Sequence, residues 1–358
     1  MRKLKVTLFV IVAYLLIAPL AVHAAKINFP DILGYKTLKC DFHMHTVFSD
    51  GQVWPTTRVS EAVREGLDVI AITDHIEYQP HRDDIPTNHG RSNEIAREAA
   101  EKSKILFPLG AEITRSTPPG HFNALFLRDV RYLDTEDFLD AMKAANDQDA
   151  FVFWNHPDWK PEHIGWFDVH DTIYENGWIH GIEVCNGDGY HLNGHKWGLE
   201  KNLTMLGTSD IHSPSMIIET TPENHRTMTL VFVKEHTLKS LKEALFKGRT
   251  AVWFKNQLIA KEDYLDAIFT ASVELNDINK KGARKVILEI ANNCDLNIEL
   301  KRTGTVGPEE VALPAMGTTT IKLRVPKDTR NVELSYVASN MLIAPEKGLA
   351  VKLSASLE

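Results

Sequence analysis

Between residues 38 and 254 the chain alternates two textures. Short apolar runs at 38–42, 67–73, 105–113, 122–127, 150–154, 179–185, 203–208 and 228–233 have the length of strands. Between them lie 57–65, 92–104, 135–147, 194–202 and 237–246, where apolar and polar residues are spaced as on an amphipathic helix. Asp134 or Thr135, followed by Glu136 and Asp137, predicts one helix start, because an acidic first turn complements the helix dipole. Such β–α alternation predicts an α/β fold with a largely parallel sheet, open or closed into a barrel, over 25–255. After about residue 256 the texture changes. The runs 286–291, 297–301, 319–325 and 332–337 alternate with period two and are parted by turns such as Asn292-Asn293 and Thr303-Gly304. They predict a small all-β, sandwich-like module over 256–358.

The first residues have a different pattern. Arg2, Lys3 and Lys5 precede an apolar stretch, 6–22, interrupted by Thr7 and Pro19, and small residues follow to Ala24. This is the layout of a cleaved signal peptide over 1–24, and it implies a periplasmic or secreted mature protein without a stable membrane span. An uncleaved anchor is the weaker reading, since the stretch is short and broken by Pro19. Cys40 is the first cysteine, too far along for a lipoprotein junction.

Composition narrows the class. The 358 residues are 43% hydrophobic and 25% charged, which suits a globular chain of one large domain and a smaller one. The net charge of -8, without any basic run, argues against a partner that is a nucleic-acid polymer. Cys40, Cys185 and Cys294 are too few and too scattered for a disulfide framework.

The 16 histidines carry the chemistry. The run 38–42 leads into His43 and His45, which point to one side of an extended chain and can share a metal ion. Asp50 follows closely. The run 67–73 ends in Asp74-His75, the third run in Glu112, and a Pro118-Pro119-Gly120 turn presents His121. The run 150–154 ends in Asn155-His156, and 203–208 leads to Asp210 and His212. The carboxyl ends of parallel strands meet at one rim, where active sites of such folds lie. Six histidines and three carboxylates exceed what one zinc needs, so the pattern implies two or three divalent ions, zinc, manganese or iron.

His43-x-His45-Thr46, Asp50-Gly51, Thr73-Asp74-His75, Gly110-Ala111-Glu112, Gly120-His121, Asn155-His156-Pro157 and Ser209-Asp210-x-His212 resemble the ordered motifs of the PHP (polymerase and histidinol phosphatase) family. The resemblance implies a distorted (β/α)7 barrel with two or three metals and phosphoester hydrolysis. It assigns His43, His45, Glu112 and Asp210 to one ion and Asp50, His75 and His212 to a second. Glu112 would bridge to a third ion held with His121 and His156. Asp50 stands where some members carry histidine.

The expected reaction is attack on a small anionic phosphoester by a hydroxide formed near neutral pH on the ions. Asp210 or His212 would move the proton to the leaving group. Arg226, Arg249 and His195 are the candidate substrate contacts, although single arginines are more often structural. Trp54, Trp154, Trp159 and Trp166 lie near the candidate ligands in sequence; core packing is their more common role. Two other functions share these residues: hydrolysis of a carbonyl by the same centre, and a non-catalytic metal- or carbohydrate-binding protein.

Overall fold

The computed structural model describes residues 26–280 and 284–357; the expected signal peptide, 1–24, lies outside the described residues. Strand Lys36–Asp41 pairs in parallel with Val69–Ile70 and antiparallel with Met228–Val233. Met228–Val233 pairs with Thr250–Phe254, which turns back into Gln257–Ala260. A second sheet holds Gly110–Thr114, His121–Leu125, Phe151–Trp154, Gly181–Asn186 and Thr204–Thr208.

Two seams close these sheets on each other. The parallel bridges Val69–Leu106 and His75–Glu112 join them on one side. On the other, the Thr229 hydroxyl donates to the Gly207 carbonyl (2.8 Å) and accepts from the Gly207 N–H (3.0 Å). The result is a distorted α/β barrel, with helices such as Phe138–Asn146 and Leu238–Phe246 burying one face each against it.

The barrel differs from the expected pattern in three places. The run 105–113 is not one strand: Leu106 makes a single bridge to Val69, Pro108 has no N–H to give to a ladder, and pairing resumes at Gly110. Gly110–Thr114 and His121–Leu125 form an antiparallel hairpin, so the sheet is mixed. The helix expected at Thr135 begins at Phe138, capped by Asp137, whose carboxylate accepts from the Leu139 and Asp140 N–H groups.

Downstream, helix Glu262–Ser272 leads to two facing sheets. One is Val273–Lys280, Lys285–Asn292 and Thr318–Arg324. The other is Glu310–Leu313, Ile298–Arg302, Asn331–Ala344 and Lys347–Ser356. Val332, Leu334, Tyr336 and Ala338 alternate inward along one strand, as a sandwich requires. The second of these sheets is continuous with the barrel, because Gln257–Ala260 pairs in parallel with Asn331–Ala344. Met228, Trp253, Leu258, Leu300 and Leu334 belong to one apolar core spanning both parts. Among the described residues no helix is long and apolar enough to cross a membrane.

Candidate metal centre

Each candidate ligand is placed by its backbone. Past Asp41 the first strand delivers His43 and His45 to the rim, while Met44 between them enters the core. The turn after His45 folds back tightly, with the N–H groups of Ser49 and Gly51 both donating to the Thr46 carbonyl. A Cβ on Gly51 would lie 2.6 Å from the His45 carbonyl carbon, so only glycine lets this turn set Asp50 beside His45. Asp74 pins the same turn: its carboxylate accepts from Thr46 N, Thr46 Oγ1 and Ser49 Oγ, each at 2.7 Å.

Glu112 lies inside strand Gly110–Thr114 rather than at its end. The hairpin runs back antiparallel, which puts His121, the first residue of its strand, opposite Thr114 and on the same rim. His156 and Asp210 follow their strands in left-handed backbone, with φ of 28° and 51°. Such conformations cost about 1–3 kcal/mol each and are retained where surrounding structure enforces them.

All nine candidate ligands converge. His43 Nε2 lies 3.0 Å from Glu112 Oε2 and 3.1 Å from Asp210 Oδ1. His45 Nε2 lies 3.3 and 3.0 Å from the same two oxygens. Donors held at ~2.0 Å around a tetrahedral zinc would be about 3.3 Å apart, so these four atoms have the spacing of one coordination shell. Asp50 Oδ1 lies 3.2 Å from His212 Nε2 and 3.5 Å from His75 Nε2. Thr114 Oγ1 occupies His75 Nδ1 at 2.6 Å, which leaves Nε2 for this second group. His121 Nδ1 lies 2.7 Å from Glu112 Oε1, and His156 Nε2 is 3.9 Å from Asp210 Oδ2. His156 thus groups with His43 and Asp210, and His121 with Glu112 and His75.

The donor set fits cations. His45 Nε2, Glu112 Oε1, His121 Nδ1 and Asp210 Oδ1 are buried, and although His121 lies 2.7 Å from Glu112 and His45 3.0 Å from Asp210, no hydrogen bond of good geometry joins them. Leaving each so would cost about 1–3 kcal/mol, a cost that ions among them remove. Charge agrees with this. Burial would raise the pKa values of Glu112, Asp50 and Asp210, yet the surrounding imidazoles hold all three below the usual carboxylate range. Burial pushes His156 down to about 4 and lowers His45, which keeps their lone pairs free. His43 goes the other way: burial opposes protonation, but Asp210, Glu183 and Glu112 outweigh it.

Glu183 is a site residue that the sequence pattern hid. Fully buried, it accepts from His43 Nδ1 (2.9 Å) and Thr208 Oγ1 (2.5 Å) on one oxygen. Its other oxygen accepts from His156 N (2.7 Å) and Asn186 Nδ2 (2.8 Å). It therefore orients His43 Nε2 towards the ions, as carboxylates behind metal-binding histidines do. Arg58 is equally hidden in the sequence. This buried guanidinium uses all five of its N–H groups: on the carbonyls of His45, Ile211, His212 and Ser213 at 2.8–2.9 Å, and on Glu61 at 2.8 Å. It ties the His45 turn to the His212 turn.

The three expected substrate contacts lie elsewhere. Arg226 is buried against Glu65 (2.7 Å) and Asp41 (2.9 Å), and Asp41 in turn holds Ser209 beside Asp210. Arg249 donates to the Phe232 carbonyl and Glu243, with Tyr35 under its guanidinium. His195 is fully buried, 2.8 Å from the Tyr190 hydroxyl. Instead, the centre opens into a cleft of about 590 Å3 whose rim carries Arg115, Lys160, Tyr78 and Trp159. Of the four tryptophans near the ligands in sequence, Trp154 is buried and Trp159 is the one lining this cleft.

The chain is 43% identical to a two-domain protein of Bacteroides vulgatus containing a predicted PHP-like metal-dependent phosphoesterase. The likeness covers 93% of this chain and 99% of that one, with a TM-score of 0.88. The chain belongs to the PHP-like metal-dependent phosphoesterase family. In this PHP-like protein a family model described as an Ig-like domain matches residues 272–354, within the all-β part. An uncharacterized protein of Methanocaldococcus jannaschii is 35% identical over 83 residues, 23% of this chain and 36% of that protein. The chain thus matches about a third of the length of that curated relative. A lesion-specific endonuclease from Pyrococcus furiosus gives a TM-score of 0.42 at 14% identity, over 64% of this PHP-like chain and 60% of the other. At that level the likeness says nothing of activity.

Proposed function

We propose that the protein hydrolyses small anionic phosphoesters with two or three divalent ions, zinc, manganese or iron, held by His43, His45, Asp50, His75, Glu112, His121, His156, Asp210 and His212. The observation that carries this reading is the set of four buried, unpartnered donor atoms at the foot of the cleft. When bound, such ions supply a nucleophile at neutral pH and neutralise phosphoryl charge.

The chain's own groups do the rest. Glu183 orients His43, and Arg58 holds the two turns that carry His45 and His212. Asp210 turns Oδ1 towards the His43–His45 pair as a ligand candidate and accepts from Asn186 Nδ2 (3.3 Å) on Oδ2. His212 is committed as well, with Nε2 3.2 Å from Asp50 Oδ1 and Nδ1 2.8 Å from the Asp210 carbonyl, so the leaving group takes its proton from solvent in the open cleft. At the rim Arg115 is paired with Glu77, which leaves Lys160 as the cation that meets a small anionic substrate there. The charge pattern of 1–24 supports export to the periplasm or beyond.

The test is metal analysis of the purified protein together with phosphate release from a panel of phosphomonoesters and phosphodiesters. Two or more ions per chain and turnover abolished by His45→Ala are expected. Fewer than two ions under replete conditions, or amide cleavage without phosphate release, would overturn the reading.

A further inference from the structure

The metal centre explains the floor of the cleft but not its rim. Trp159 is 56% exposed at the mouth of the cleft, so its ring is open to a bound molecule. It is placed with care. The backbone N–H of Trp159 donates to the His156 carbonyl at 3.0 Å, closing a turn directly after a metal-ligand candidate. Its ring lies 5.3 Å from the His156 ring and 5.7 Å from the His121 ring. At the other end of the row of ligands Tyr78, 53% exposed, stands 5.9 Å from the His75 ring. Both aromatic side chains line the one cleft.

Charge marks the same corner. Lys160 Nζ sits 4.8 Å over the Trp159 ring. Among the described residues it has no carboxylate within ion-pair distance, whereas Arg115, the other rim cation, is paired with Glu77. An apolar ring beside a free ammonium, a few ångströms above the ligands, matches a substrate that is flat and apolar next to its phosphate.

We propose that Trp159, with Tyr78 at the other end of the same cleft, is the subsite for a planar aromatic ring in the leaving group, so that aryl or nucleoside phosphoesters are preferred over alkyl and sugar phosphates. This rests on the phosphoesterase reading and adds the class of leaving group. Lys160 draws the anion of any substrate; Trp159 selects among them.

The experiment compares kcat/KM for phenyl phosphate, adenosine 5′-monophosphate, glycerol phosphate and glucose phosphate in metal-loaded wild type, Trp159→Ala, Trp159→Phe and Lys160→Met, with metal content measured for each. Wild type should favour the two ring-bearing substrates, and the two arms tell an aryl from a nucleoside preference. Trp159→Ala should lose roughly 5- to 150-fold on them, the contribution of a base on an aromatic face, mainly in KM. Glycerol phosphate should change less than about two-fold, metal content should be unaltered, and Trp159→Phe should recover most of the loss. Lys160→Met should weaken all substrates alike. Equal losses across all four substrates in Trp159→Ala, or a wild type that prefers glycerol or glucose phosphate, would sink the subsite and leave the phosphoesterase standing. Absence of phosphate release from every substrate by the loaded wild type would sink both.

Discussion

Arg58 donates through Nη2 to the carbonyl of His212 at 2.8 Å, from a helix that contributes no metal ligand. The same guanidinium reaches the His45 carbonyl through Nε, so two turns 167 positions apart share one planar fork. Lysine has a point charge and no fork. Arg58→Lys should retain the fold but bind fewer ions in the Asp50–His75–His212 group, read by metal titration. Arg58→Met leaves Glu61 buried without its cation and should destabilise by about 3–5 kcal/mol in urea melts. Full metal content in Arg58→Lys would show that the fork is not needed.

Glu183→Gln tests the orientation of His43 at almost constant volume. Its amide cannot accept on both ends, and whichever oxygen becomes an NH2 group can no longer accept, so two of the four hydrogen bonds to Glu183 are lost. The expected loss is about 10–100-fold in metal affinity or turnover, with little change in melting temperature when metal is saturating. Unchanged affinity in a competition assay against a chelating dye would contradict this role.

Stripping the ions should destabilise the protein as well as silence it. The orphaned donors at His45, Glu112, His121 and Asp210 would again be buried without partners. Ions at 100 times their dissociation constant add about 2.7 kcal/mol to the stability of a protein that binds them only when folded. Calorimetry with a strong chelator, then with zinc or manganese restored, should show the melting temperature fall and recover. An identical melt in both states would refute metal binding by the folded chain.

The pH dependence of stability should carry a signature from outside the metal centre. Burial lowers His170, His180 and His195 to about 4 each, against 6.5 for the free side chain. Between those values the unfolded chain takes up protons that the folded one refuses, so stability drops as the pH falls from 6.5 to 4 and levels off below. Each contributes a slope of about 1.4 kcal/mol per pH unit at most. His170→Phe removes one share, and the difference between its urea-derived profile and that of wild type isolates that share from the ligand groups. Parallel profiles over this range would rule it out.

Most of the nine candidate ligands are legible because histidines and carboxylates coincide with the ends of apolar runs, a coincidence that needs no knowledge of distant contacts; Glu112, inside Gly110–Thr114, departs from that rule. Strand 228–233 was read at its observed bounds for a similar reason, as every residue in it is buried and apolar or threonine. Glu183 was not legible, since a charge between Ile182 and Val184 looks like the outward face of an alternating strand. In fact both faces of that strand are covered, and the carboxylate is spent on groups up to 140 positions away. Arg226 misled for the complementary reason. Its partners Asp41 and Glu65 lie 185 and 161 residues earlier, and only the closed barrel brings them together. Pairings of that range leave no local trace.

The ladder between Gln257–Ala260 and Asn331–Ala344 has a further consequence. Two-part chains usually move about a pliant linker, and enzymes of that design admit and trap substrates by swinging one lobe. Here the seam is woven from backbone and sealed by shared side chains, which resists such a swing. Every residue that lines the cleft, from Asp50 to His212, belongs to the barrel, so the β module bears on the cleft only through that fixed frame.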